Sequence, residues 1–469
     1  MSTQPASPTR AEVWRGRTQS PLGRLILIGI IVFVLQAPLG SVDDRVQERQ
    51  ARRNDAVSEV TGKWGNEQHI AGPVLRIPYQ VEYTSGDKDA KQTTLTWYAY
   101  FLAQNLQIDT KINGRTRHRG IFTVPVYVAD VHLEGHFAAP DFSTLGVDAS
   151  RIDWSGAQLL VPISDTSAIQ AGSQLKWNGV DVKLEPAISG DAHWQLTGIH
   201  ARLGGMLQDT KLPDADFSMD LHLNGSEKLL LAPAAEHTTA HFASDWPNPS
   251  FQGSWLPKDS EIGKQGFTAD WSFSYLGRNY PQVWSGSQDY SSELGSALFG
   301  VSLANAVDEY RMLDRSAKYG LLTVIFTFGT LWLTEVLARR RMHAVQYLLV
   351  GAALSLFGLL QLSLTEQIGF AAAFALSALG VTAMVALYSR AALRGTRHAL
   401  IVGGVLGGLY AYLYTLLQAE DYSLLGGSLA LFTALGAVMF VTRKIDWFSL
   451  GVVSSISSAP AIETPPMAE

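Results

Sequence analysis

The chain has 469 residues, a formal net charge of −6, 17% charged residues and 47% hydrophobic residues. It is too apolar for disorder and too poor in charge for an ordinary soluble protein. The absence of cysteine excludes a disulfide framework, a cysteine nucleophile, a thiolate metal site and an iron–sulfur cluster. The mild acidic balance argues against nucleic acid as a partner, because neutralising phosphates needs clustered Lys and Arg.

Residues 1–21 are polar and basic, and from Leu22 to Leu39 an apolar run follows, interrupted by Arg24 near its start and by Gln36. A helix of about 20 residues crosses a bilayer core, so a first span over 22–41 is expected. The competing pattern is a cleaved signal peptide, with Arg15, Arg17 and Arg24 as its basic region and Leu25 to Leu35 as its apolar region. Pro38 directly follows the small-residue site Leu35-Gln36-Ala37, which favours an uncleaved anchor. Either way, the segment beyond this run is exported. Val42 to Thr61 is charged, with Glu48 and Arg52 four apart and Val42, Val46, Val57 and Val60 at roughly helical spacing. It is predicted to continue the helix out of the membrane.

From about Pro73 the period changes to two. Val74–Ile77, Thr94–Tyr100, Ile121–Phe137, Phe217–Leu223 and Phe267–Tyr275 alternate and are rich in β-branched and aromatic residues, which predicts strands. Asn113-Gly114, Asn178-Gly179 and Asn224-Gly225 are tight-turn signals. An antiparallel sandwich or barrel-like exported domain is expected over 42–318. Five further apolar runs lie within 319–442: Tyr319–Leu337, Val345–Leu364, Ile368–Tyr388, Ala399–Gln418 and Ser423–Thr442. The fold class is therefore a membrane α-helical bundle of six transmembrane helices with a large inserted, mainly antiparallel β domain, α+β overall.

Arg339, Arg340 and Arg341 follow the second span, Arg390, Arg394 and Arg397 the fourth, and Arg443 and Lys444 the sixth. The connections after the third and fifth spans carry only Glu366, Glu420 and Asp421. By the positive-inside rule both termini are cytoplasmic, including 443–469, and residues 43–318 lie outside. The first span alone does not decide this, because Arg10, Arg15, Arg17 and Arg24 before it are matched by Arg45, Arg49, Arg52 and Arg53 after it.

Several segments, in the order one span, β-rich domain, five spans, resemble the CreD family of bacterial inner-membrane proteins, also called cell-envelope integrity proteins. They are Ala71-Gly72-Pro73-Val74-Leu75-Arg76-Ile77-Pro78, then Trp246-Pro247-Asn248-Pro249-Ser250-Phe251-Gln252-Gly253 with Leu256-Pro257 and Gly266-Phe267. Asp308-Glu309-Tyr310 and Asp314-Arg315-Ser316-Ala317-Lys318-Tyr319 enter the second span. His343-Ala344-Val345-Gln346-Tyr347-Leu348-Leu349-Val350-Gly351 opens the third, and Phe440-Val441-Thr442-Arg443-Lys444-Ile445-Asp446-Trp447 closes the sixth. The resemblance implies an inner-membrane protein tied to envelope stress, colicin tolerance and a two-component regulatory system. It implies no known reaction and no cofactor.

Among candidate sites, His132, Glu134 and His136 share one face of a strand and could converge on a divalent ion. A solvated row is the plainer account. Asn224-Gly225-Ser226 matches a glycosylation acceptor but reads better as a hairpin turn. Trp246, Pro247, Pro249 and Phe251 form a stiff loop that either pins sheets together or contacts a partner. Glu335 lies one turn before three arginines and is expected to be an interfacial ion pair, since a proton relay needs a partner on another helix. Gln346 and Gln361 are expected to be interhelical hydrogen-bond donors. Gly403, Gly404, Gly407 and Gly408 are expected to pack helices closely.

No phosphate loop, HExxH helix or GxSxG elbow occurs. The expectation is a non-enzymatic envelope protein whose β domain binds or senses an envelope component, protein or glycan. The alternatives are a transporter or lipid-handling protein, and an envelope enzyme using Asp130, Glu134, Asp245 or Asp270.

Overall fold

The computed structural model describes residues 21–84, 92–188, 197–303, 309–338, 340, 342–419 and 422–443. Arg339, Arg341, Lys444, Glu420, Asp421, Arg10, Arg15 and Arg17 lie outside the described residues. The chain divides into two compact units, residues 1–51 with 308–469, and residues 52–307.

Helix α1 (Pro21–Trp64) continues through Pro38 without a break. Its last turns belong to the β unit. There the Trp64 indole N–H donates to the Tyr127 carbonyl at 3.1 Å, Arg117 stacks on the Trp64 ring, and Arg119 pairs with Glu59 at 2.8 Å.

The β unit has seventeen strands among the described residues: β1 (Gln68–Ile70), β2 (Val74–Thr84), β3 (Gln92–Arg119), β4 (Phe122–Phe137), β5 (Gln158–Pro162), β6 (Gln174–Trp177), β7 (Val180–Val182), β8 (Leu184–Pro186), β9 (Gly198–Arg202), β10 (Ala215–Ser226), β11 (Lys228–Leu231), β12 (Ala235–Ser244), β13 (Ser250–Gly253), β14 (Asp259–Gly263), β15 (Gly266–Ser274), β16 (Val283–Ser285) and β17 (Phe299–Ser302). The short helix α2 (Ser291–Ser296) precedes β17. β1, β11, β17 and β13 make a four-stranded sheet. The others form a thirteen-stranded sheet along β7-β6-β10-β4-β3-β2-β5-β9-β8, with β12, β15, β14 and β16 joined through β3.

β3 is the spine of the large sheet. Its first part pairs with β2, its second with β4, and β12 runs parallel beside it. Period-two alternation explains the layering: Phe217, Met219, Leu221 and Leu223 of β10 are buried while Ser218, Asp220 and His222 face the other side. The buried side carries an aromatic cluster, Phe242, Trp271 and Phe299, with centroids 4.9–6.2 Å apart. Each such ring contributes about 1.5–3 kcal/mol through burial.

Two of the three Asn-Gly pairs are not turns. Asn178-Gly179 joins β6 to β7 with positive φ at both residues. Asn113-Gly114, however, lies inside β3 and Asn224-Gly225 inside β10. The reason is steric. A Cβ on Gly114 would stand 2.7 Å from the Trp246 ring, and one on Gly225 2.3 Å from the Tyr127 ring, so these glycines admit a large ring against a strand.

In the helical unit, α3 (Glu309–Lys318), α4 (Gly320–Ala338), α5 (Ala344–Ile368), α6 (Phe370–Leu393), α7 (Thr396–Gln418) and α8 (Ser423–Thr442) follow. With α1, the last five give six helices long and apolar enough to cross a membrane. α1 seats on α5 through small residues. Leu35 meets Gly351 and Val42 meets Gly358, where added Cβ atoms would come within 2.2 and 2.7 Å of those side chains.

Candidate functional site

The exposed face of the large sheet is built by register. Asp220, His132, Asp109, His241 and Asp270 stand directly opposite one another on β10, β4, β3, β12 and β15. Gln174 of β6 extends this row and donates to Asp220 at 2.8 Å. Directly opposed residues share a face, so acids and imidazoles alternate across five strands. The neighbouring rows carry Glu134 with Gln107 and Thr239, His136 with Asn105 and His237, and Asp130 with Lys111.

His132, Glu134 and His136 do not converge. His132 Nδ1 lies 2.7 Å from Asp220 and His136 Nδ1 2.7 Å from Asp216, both across the seam to β10. Only His132 Nε2 and Glu134 approach each other, at 3.6 Å. Among the described residues no three such side chains stand close enough to hold a metal ion. Neighbouring same-face residues on a strand are about 6.6 Å apart, and the aspartates of β10 draw the imidazoles sideways. Burial disfavours a proton on His132, yet the Asp220 and Glu134 carboxylates outweigh it and hold the imidazole above its ordinary range. The Gln174 amide and His132 hold Asp220 below the usual carboxylate range.

Two open grooves flank this row. One of about 430 Å³ is lined by Asn105, Gln107, Glu134, His136, Lys176 and Asp216. The other, of about 650 Å³, is lined by Lys111, Asn113, Asp245, Glu261, Gln265 and Thr268 among others. The four acids considered for catalysis are separately engaged: Asp130 with His222 and Asp270 with His241, while Asp245 accepts from the Gly114 N–H at 2.7 Å and Glu134 stands beside His132.

Of the stiff loop, Trp246 lies over Gly114, and the Phe251 ring stands edge-on to Phe267 and Trp271 with centroids 5.9 and 5.8 Å apart. Pro247 is exposed and Pro249 half-buried. The two aromatics are thus directed into packing.

In the helical unit, Glu335 is buried, and its ion-pair partner is Arg24 of α1, a different helix. Glu335 also accepts from the Tyr347 hydroxyl at 3.0 Å and the Met342 N–H at 3.1 Å. Of the three arginines that follow it, Arg339 and Arg341 lie outside the described residues; among those described, Arg24 is the guanidinium that pairs with the acid. Gln346 is not interhelical; it accepts from the His343 N–H at 2.8 Å in a capping box that starts α5. Gln361 is interhelical but as an acceptor, from Ser316 at 2.7 Å. Gly403 and Gly407 face Ala386 and Thr382 of α6, while Gly404 and Gly408 meet nothing within 4 Å. Arg390, Arg394, Arg397 and Arg443 sit at or just beyond helix ends, and Arg340 just beyond α4.

One device went unseen in the sequence. α3 ties helix ends together: Glu309 accepts from the Phe370 N–H at the start of α6, the Tyr310 hydroxyl donates to Glu366, Arg315 donates to the Leu416 carbonyl at the end of α7, and Ser316 reaches Gln361. Arg49 of α1 joins the same Glu366 at 3.5 Å. Residues 309–310 and 314–319, conspicuous in the sequence, supply this clasp.

Residues 20–448 match the profile of the family described as inner membrane protein CreD. Inner membrane protein CreD of Escherichia coli (strain K12) is 29% identical over 429 residues, covering 90% of this chain and 92% of that protein. An M1 zinc metallopeptidase from Deinococcus radiodurans aligns over 75% of this chain and 92% of its own at 10% identity, with a TM-score of 0.21, a likeness too low to bear on fold or chemistry.

Proposed function

The chain belongs to the CreD family of inner membrane proteins, and on that premise we propose that its β unit is a periplasmic, non-enzymatic module that binds or senses an envelope component. The observation that carries this is the polar face of the large sheet, with imidazoles, carboxylates, amides and hydroxyls in register and a groove on each side. Such a surface offers donors and acceptors at the strand spacing of about 4.8 Å, suited to an extended polar ligand. The separate engagement of Asp130, Asp245 and Asp270 supports binding over catalysis, since paired carboxylate chemistry needs two acids facing one substrate.

The proposed orientation places both termini in the cytoplasm and residues 43–318 in the periplasm. Arg340 and Arg394 in the α4–α5 and α6–α7 connections, Arg397 in the first turn of α7, and Arg443 after α8 support it through the positive-inside rule, as does the lack of Lys and Arg between α5 and α6.

A photo-crosslinking side chain placed at Gln107 or Thr239, both exposed on the face, tests the proposal in native membranes against Ser150 on an outlying turn. Adducts with an envelope protein or glycan at the two face positions, and not at Ser150, are expected. Adducts confined to positions in α4–α8, with only lipid or a small molecule, would move function to the bundle and favour transport.

A further inference from the structure

Four imidazoles bond through Nδ1 to a carboxylate directly opposite on the next strand. His132–Asp220, His136–Asp216 and His222–Asp130 cross the β4–β10 seam, and His241–Asp270 crosses the β12–β15 seam, all at 2.6–2.7 Å. We infer that these pairs make the large sheet a proton-responsive clamp. As pH falls the two seams tighten while the face sheds negative charge, and as pH rises the seams relax and the face turns acidic. This goes beyond the binding role and does not depend on it.

Imidazole is the side chain that titrates near neutrality, and a bond between imidazolium and carboxylate is roughly twice as strong as a neutral one. The groups facing His132 favour its charged form. His132 faces Asp220 on β10, Asp109 on β3 and Glu134 on its own strand. His241 faces Asp270 on β15 and the same Asp109 on its other side. His136 faces Asp216, with uncharged Asn105 on β3, and His222 faces Asp130, with Gly172 of the β5–β6 connection against its ring. The opposing cations are Lys111, opposite Asp130 on β3, and Lys176 of β6, which lines one groove with His136 and Asp216.

The sign follows from His132, whose affinity for a proton is raised by folding. Its contribution is fully present below the unfolded imidazole value and is lost as pH rises through the folded one. Asp220, held low, contributes above the unfolded carboxylate value and loses that only as pH falls through the folded one. The clamp is therefore tightest in the interval between these two transitions. His69, which burial holds low, has the opposite sign, but it lies on β1 in the small sheet, so the response must be read strand by strand.

Hydrogen exchange on the full chain in lipid nanodiscs at pH 5.5 and 7.5, corrected for intrinsic rates, reads it. Amides of β4, β10, β12 and β15 are expected to exchange about three- to tenfold more slowly at the lower pH, with β2 as the internal control. Replacing all four histidines with asparagine (H132N, H136N, H222N, H241N) keeps an amide donor near Nδ1 but removes the titration, and is expected to abolish the difference. D220N with D270N leaves the rings in place and is expected to reduce it. The inference is overturned if β2 responds as strongly as the seams, if the wild-type seams do not respond, or if either variant that folds keeps the full response.

Discussion

Among the described residues Glu335 has three partners on three segments, which makes its removal the sharpest test of how the helical unit holds together. Glu335→Ala leaves the Arg24 guanidinium, only 18% exposed, without its carboxylate and frees the Tyr347 hydroxyl and the Met342 N–H. Breaking a buried pair from one side costs about 3–5 kcal/mol. Glu335→Gln keeps an acceptor for Tyr347 or Met342 and loses only the charge, about 1.5–3 kcal/mol. At about 2–4 °C per kcal/mol for a unit of this size, Glu335→Ala lowers the melting temperature by about 6–20 °C. Scanning fluorimetry of the full chain in detergent measures this. A cycle with Arg24→Met and the double variant isolates the coupling. Since the second deletion removes the charge that Glu335 neutralises, the double variant is expected to be more stable than the sum of the single losses implies. Additive losses, or a Glu335→Ala loss no larger than that of lipid-exposed Leu359→Ala, would refute the reasoning.

Other expectations come from packing and charge. The Cβ of Val42 and a Cβ built on Gly358 stand 3.6 Å apart, within the range of a disulfide; in a chain without cysteine, V42C with G358C is expected to crosslink on mild oxidation, read as a mobility shift reversed by reductant. Gly225→Ala would drive a methyl into Tyr127 and is expected to destabilise the β unit by about 1–3 kcal/mol, whereas Gly205→Ala, with nothing within 4 Å, should be near neutral in the same denaturant titration. Burial raises Asp165, but its bonds from Asn66 and Ser167 prevail and hold it below the usual carboxylate range. Its contribution is thus present above the unfolded value and lost as pH falls through the folded one, so Asp165→Asn should flatten the acid limb of the β unit's stability profile.

Short-range patterning made part of this molecule legible in its sequence. Runs of spanning length almost free of charge gave the helices, and strict alternation along Phe217–Leu223 gave a strand with one wet face. Features that depend on a distant neighbour were not legible. His132 finds Asp220 only through strand register, and Glu335 finds Arg24 only when α1 returns beside α4. Asn113-Gly114 and Asn224-Gly225 carry the composition of turns, but rings from Trp246 and Tyr127 occupy the space beside them. The His132, Glu134, His136 triplet has the spacing of a shared face, while the aspartates opposite determine where those rings point. Gly351 and Gly358, seven apart, carry a visible period, yet their meaning comes from Leu35 and Val42 at the same spacing on α1.

The seating of α1 on α5 also sets an order of events during synthesis. Leu35 and Arg24 leave the ribosome about 300 residues before Gly351 and Glu335, which at 5–20 residues per second is roughly 15–60 s. Throughout that interval α1 resides in the bilayer without the α5 groove that seats it, and Arg24 without Glu335. A guanidinium so near the helix start can reach the headgroups meanwhile, anchoring the first span until the later helices arrive. The helical unit is thus completed only after the whole β unit has been made, with its earliest segment waiting for its last partners.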